Sequence, residues 1–269
     1  MMELIWDFGA LDDSQEADYV KALLDQFAEQ NSIFERLTKQ EVILTTFSGW
    51  ICAAQSMIRK ITGNVASVSQ RDFQRVFKLI SYFYHKKKEI FGLIETKQLK
   101  KPRGFSKMSD SDILDESVIL AIAVAYYLRL PSTQKDPENS NQTVKPRDLF
   151  EQFMNTNLTL RNKDKKFRDI LDDEMSFYLE EMRVPGSIAK NDALKENIFA
   201  IVVCVANKYF FFKNLILCNV KNLFFQRMPL LINGQPGSSK TISMNVSKKK
   251  NFCRDLEHST NFNRLLRIT

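Results

Sequence analysis

One stretch, residues 228–243, constrains this chain more than any other. It reads Met-Pro-Leu-Leu-Ile-Asn-Gly-Gln-Pro-Gly-Ser-Ser-Lys-Thr-Ile-Ser. The apolar run Leu230, Leu231, Ile232 leads into a loop of Gly234, Gln235, Pro236 and Gly237, followed by Ser238, Ser239, Lys240 and Thr241. That order matches a P-loop: buried strand, phosphate-cradling loop, helix start. Glycines let successive backbone N–H groups turn toward phosphate oxygens. The helix start adds unpaired N–H groups and the positive end of its dipole. Lys240 is placed to reach the β- and γ-phosphates of ATP, and the Thr241 hydroxyl to hold Mg²⁺. Ser239 stands where the general pattern has glycine, and its Cβ crowds a tight position. The competing reading is a Gly/Ser turn with an incidental lysine. The preceding strand and the intact spacing of Gly234, Lys240 and Thr241 favour phosphate.

The rest of the composition excludes more than it selects. At 269 residues the chain is one large domain or two modest ones. The net charge of +7 is mild. No basic stripe alternates with aromatics, so nucleic acid is not an expected partner. Cys52, Cys204, Cys218 and Cys253 are too scattered for a zinc cluster or a disulfide framework, which fits a reducing compartment. The first residues lack the basic-then-apolar order of a signal peptide. His85 and His258 sit in charged or polar settings and read as solvated surface residues, which argues against histidine catalysis.

Periodicity predicts a largely helical chain. Asp13 and Glu16 resemble a capping arrangement for a helix over 14–30, with Ala17, Val20, Leu24 and Phe27 on its apolar face. A second helix is expected over roughly 33–60, with Trp50 in the core. Ser69 and Asp72 form a capping box for the next, whose buried stripe is Phe73, Val76, Phe77 and Ile80. Arg71 and Arg75 lie one turn apart near that helix start, against its dipole. They suit either a bound anion or a solvated, carboxylate-paired face. Residues 97–107 read as a basic linker and 110–130 as a helix. The polar stretch 131–145 reads as an exposed loop. Further helices are expected over 146–154, 164–182 and 192–206. Over 209–225, Phe210, Phe211, Phe212, Phe224 and Phe225 mix with lysines and asparagines, and neither helical nor strand period fits. The stretch is too short and polar to span a membrane. The tail, 247–269, is basic and aperiodic and is expected to be the least ordered part.

Four stretches taken together resemble one family. They are Ile5-Trp-Asp-Phe-Gly-Ala-Leu11, Val68-Ser-Gln-Arg-Asp-Phe-Gln-Arg75, Ala193-Leu-Lys-Glu-Asn-Ile-Phe199 and Gly234-Gln-Pro-Gly-Ser-Ser-Lys-Thr241. In that order they are similar to segments of mysterin-type proteins, giant AAA+ ATPases that are also RING-type E3 ubiquitin ligases. The family itself carries serine at the position of Ser239. The resemblance implies a helical lid of a preceding AAA+ module over 1–100 and a helical connector over 101–185. It implies the start of the next module over 186–246, with an atypical insertion at 209–227. Arg71 matches the lid-helix arginine that senses the γ-phosphate, here serving the preceding module. The implied partners are ATP, the other AAA+ modules of a parent chain, and a ubiquitin-conjugating enzyme engaged by regions outside this chain; the implied location is cytoplasmic. After Val246 the resemblance stops, and neither a Walker B acidic pair nor a RING cluster follows. The expected fold is therefore mainly α-helical with a truncated α/β P-loop segment near the C-terminus, without catalytic residues of its own. The reading set against it is a non-catalytic helical interaction module with a vestigial P-loop.

Overall fold

A computed structural model describes residues 12–30, 41–64, 67–96, 108–135, 143–158, 165–182, 184, 186–218 and 243. Among these, the chain is almost entirely helical. In order come α1 (Asp13–Gln30), α2 (Glu41–Thr62), α3 (Gln70–Glu95) and α4 (Asp110–Ala125). A 3-10 turn (Tyr127–Arg129) and two short strands, β1 (Gln134–Lys135) and β2 (Thr143–Val144), follow. Then come α5 (Pro146–Asn157), α6 (Phe167–Glu181) and α7 (Asp192–Cys218).

The helix starts obey local chemistry. Ser109 and Asp112 cap α4 reciprocally: the Ser109 N–H donates to Asp112 Oδ2 (3.2 Å) and the Asp112 N–H to Ser109 Oγ (3.1 Å). Asn191 Oδ1 accepts from the Leu194 N–H (2.8 Å) at the start of α7. Pro146 opens α5, where a missing N–H costs nothing. At α3, Asp72 Oδ2 accepts from the Ser69 N–H at 2.8 Å, as the Ser69–Asp72 spacing predicts.

The chain divides into two compact units, Met1–Phe77 with Ala125–Arg161, and Lys78–Val124 with Asn162–Thr269. In the first, α1 packs on α2 and α2 on α5. Trp50, Ile51 and Phe73 lie in its core, as expected of Trp50, with Phe150 and Met154 lining the inner face of α5. In the second, α6 packs on α7. There the Phe83 and Phe199 rings stack at 6.0 Å, and Tyr178 meets Phe199 at 5.6 Å. Burying each such side chain contributes on the order of 1.5–3 kcal/mol. Phe73, Val76, Phe77 and Ile80 are all buried, as the stripe predicts.

Several expectations need correction. The α1 cap is Asp12 with Gln15: the Gln15 N–H donates to Asp12 Oδ1 (2.8 Å) and the Asp12 N–H to Gln15 Oε1 (3.2 Å). Asp13 and Glu16 do not form it. The inward row of α1 contains Glu16, Val20, Leu24 and Ala28, while Ala17 is exposed. A carboxylate takes the inward slot because partners on α2 satisfy it. The expected loop 131–145 carries an antiparallel ladder at its ends, Gln134 opposite Val144 and Lys135 opposite Thr143. Residues 209–218, which fitted no period, continue α7 as helix. Propagating an established helix adds one hydrogen bond per residue fixed, so continuation does not require amphipathic spacing. His85 is half-buried rather than solvated, and burial lowers its pKa. The expected features at 1–11, 33–40, 97–107, 219–241 and 247–269, and His258, lie outside the described residues.

Candidate functional site

The phosphate-loop residues Gly234, Gln235, Pro236, Gly237, Ser238, Ser239, Lys240 and Thr241 lie outside the described residues. Arg71 lies within them. It occupies the first turn of α3 and is exposed, and among the described residues it makes no ion pair or side-chain hydrogen bond.

The next residue explains how that turn is held. Asp72 is only 3% exposed. Its Oδ2 accepts from the Ser69 N–H and hydroxyl (2.8 and 3.3 Å). Its Oδ1 accepts from Arg75 (2.7 Å) and Arg129 (3.1 Å). Arg129 also donates to the Ser67 carbonyl at 3.0 Å and the Ala125 carbonyl at 3.3 Å. The 3-10 turn is thereby tied to the start of α3. Of the two arginines singled out by sequence, Arg75 is carboxylate-paired and Arg71 is exposed with no partner among the described residues. A guanidinium free at the surface can meet an anion brought by another surface, with no pair to break first.

The second unit holds a buried ionic cluster that local sequence reasoning missed. Lys87 Nζ on α3 lies 2.8 Å from Glu116 on α4 and 2.9 Å from Glu174 on α6. Lys165 Nζ lies 2.7 Å from the other oxygen of Glu116. The side chains of Lys87, Glu116 and Glu174 are 9%, 9% and 8% exposed. Burial would lower the Lys87 pKa, but Glu174 and Glu116 outweigh it and hold the value above its ordinary one. Burial likewise opposes ionisation of Glu116, and Lys87 and Lys165 outweigh it, so its carboxyl sits below the usual range. All three groups are matched partners, which is the signature of a structural tie rather than a poised acid or base. The signal in the sequence was Glu116 itself, an ionisable residue inside an apolar helix.

Neither Cys52 nor Cys204 is poised as a nucleophile. Burial, with Glu16 nearby, pushes the Cys52 thiol up to about 12, and burial pushes Cys204 to about 11. Both stay protonated at neutral pH, and the thiolate is the nucleophile. No group of His, Cys, Asp and Glu among the described residues is arranged to hold a metal ion. No helix among them is long and apolar enough to cross a membrane.

No protein-family model matches the chain, and no solved structure does. Curated proteins similar to it include three E3 ubiquitin-protein ligases. The E3 ubiquitin-protein ligase RNF213 of Homo sapiens is 26% identical over 246 residues, covering 91% of this chain and 4% of that protein. The E3 ubiquitin-protein ligase rnf213-beta of Danio rerio has the same identity and coverage. RNF213 of Mus musculus is 24% identical over 243 residues, 90% of this chain and 4% of its own length. Along about nine-tenths of its length, the chain is similar to one short segment of the giant RNF213-type E3 ubiquitin-protein ligases.

Proposed function

We propose that this chain is the Walker A, ATP-binding segment of an AAA+ ATPase within an RNF213-like E3 ubiquitin ligase. The observation that carries the reading is the spacing Gly234, Lys240, Thr241 behind the apolar run Leu230, Leu231, Ile232, inside a chain similar over 91% of its length to human RNF213. In this reading Gly234, Gln235, Pro236, Gly237, Ser238 and Ser239 wrap the phosphates with backbone N–H groups. Lys240 neutralises phosphate charge, and Thr241 ligates Mg²⁺. Residues 1–100 form the lid of a preceding module, 101–185 a connector and 186–246 the opening of the next. Hydrolysis, ubiquitin transfer and contact with a ubiquitin-conjugating enzyme belong to the parent protein, which we place in the cytoplasm.

The test is calorimetric titration of the chain with MgATP, parent against Lys240→Ala. The expected result is at least a tenfold loss of affinity in the variant, because the loop loses its only fixed positive charge. Equal affinity in the two proteins refutes phosphate binding by this loop. It leaves the helical interaction module, favoured by the almost wholly helical described residues, as the better reading. Arg71 is assigned the sensor role for the preceding module. Arg71→Ala in a parent protein with every other module's Walker lysine disabled should slow ATP hydrolysis at least tenfold, as expected for a charge stabilising a developing phosphate. An unchanged rate removes that role.

A further inference from the structure

The apolar pattern of α4 does not say which way the helix faces. Every residue from 113 to 123 is buried, including Ile113, Leu114, Val118, Ile119 and Ile122. A helix that is buried on all sides and mostly apolar can be rotated about its axis, or shifted by a turn, with little change in the apolar area it buries. Hydrophobicity therefore supplies the cohesion of this helix without selecting one setting. A polar mark must do the selecting. Three polar residues lie in that buried span, Asp115, Glu116 and Ser117. Ser117 cannot select a setting, because its hydroxyl donates back to the Ile113 carbonyl (2.6 Å) of its own helix. Glu116 can. One of its oxygens meets Lys87 of α3 and the other meets Lys165 beside α6, while Lys87 also reaches Glu174 on α6.

We propose that the Lys87–Glu116–Glu174 cluster is a register lock. It fixes the rotation and axial position of α4 against α3 and α6 rather than adding net stability. A general property of buried ion pairs and one observation favour selection over stabilisation. Desolvating three charges costs about as much as their mutual attraction returns, and apolar replacements of similar volume are often as stable or more so. In addition, Glu174 Oε1 is buried and has no hydrogen-bond partner among the described residues, so part of the desolvation cost is not recovered there. A lone buried polar group plays this role in coiled coils, where it sets register at a cost in stability.

The test compares the full chain with the triple variant Lys87→Met, Glu116→Leu, Glu174→Leu, using urea denaturation and isoleucine-methyl NMR. The lock predicts an unchanged or higher urea midpoint. It also predicts broadened or doubled methyl signals for Ile113, Ile119 and Ile122, while Ile51 and Ile58 of the first unit stay sharp. Lys87→Met alone, which takes from Glu174 the lysine it pairs with and from Glu116 one of its two, should lower the midpoint or fail to fold, and the triple variant should restore it. A triple variant with single, sharp methyl signals for α4 overturns the proposal, because register then survives without the charges. A triple variant that unfolds at lower urea also overturns it, because the cluster is then a stabilising element.

Discussion

Glu16 is the residue that most changes the account of the first unit. It sits at the inward face of α1, 5% exposed, where an apolar residue would be expected. Arg59 grips it with both terminal nitrogens, at 2.6 Å and 2.8 Å, and Gln55 Nε2 donates to it at 2.5 Å. Gln55 in turn accepts from the buried Tyr126 hydroxyl at 2.9 Å. The chain Tyr126, Gln55, Glu16, Arg59 thus joins α1 and α2 to the segment just before the 3-10 turn. Glu16→Ala strands a guanidinium and an amide at once, and Arg59 Nε already lacks a partner among the described residues. Breaking one side of a buried ion pair costs about 3–5 kcal/mol, and the partial exposure of Arg59 favours the lower end. Glu16→Gln keeps the shape and one acceptor, so its cost should be smaller, about 1–3 kcal/mol. Urea denaturation of both variants checks this ordering. A loss under about 0.5 kcal/mol for Glu16→Ala, typical of an exposed pair, would mean the network is not buried in solution.

At the scale of elements, the readable parts were those whose cause is local. Periodic apolar residues mark α3, α4 and the first part of α7, and the Ser69–Asp72 box marks the start of α3, because capping and face burial act over three or four residues. The start of α1 was misread for the same reason. Asp12, Asp13, Gln15 and Glu16 offer two overlapping boxes, and what decides between them is Arg59, 43 positions away in sequence. The ladder across 134–144 was hidden because two-residue strands carry no alternation to detect. The tail of α7 was hidden because helix continuation there follows from the helix before it, not from spacing. Of the candidate site, Arg71 could be placed because its helix is periodic. The ion cluster could not, since Lys87 and Glu116 are 29 positions apart and nothing in either neighbourhood specifies the other.

For the whole molecule, the buried ionisable groups set a window of pH in which the fold is stable, and the sign follows from each shift. Glu116 has a folded value below its ordinary 4.5. Its contribution is therefore complete above about 4.5 and lost as pH falls through the lower folded value. Lys87 is raised above its ordinary 10.5, so its contribution is complete below 10.5 and lost as pH climbs through the higher folded value. Burial raises Tyr82, Tyr126 and Tyr178 above 10. Since folding favours their neutral form, their contribution is complete below pH 10 and lost as the unfolded chain begins to ionise above it. Tyr126 belongs to the first unit and the pair Tyr82–Tyr178 to the second, so the alkaline loss should involve both. Urea midpoints measured from pH 3 to 11 should therefore show a plateau with an acid fall below about 4.5 and an alkaline fall above about 10. Glu116→Gln should lower the plateau and flatten the acid fall, because a neutral amide has no proton to gain. Tyr126→Phe should flatten part of the alkaline fall, at the cost of leaving Gln55 Oε1 one donor short. An acid limb of equal steepness in Glu116→Gln and the parent would show that Glu116 does not titrate with folding, and its pairing with Lys87 and Lys165 would then have to be weaker in solution than the geometry implies.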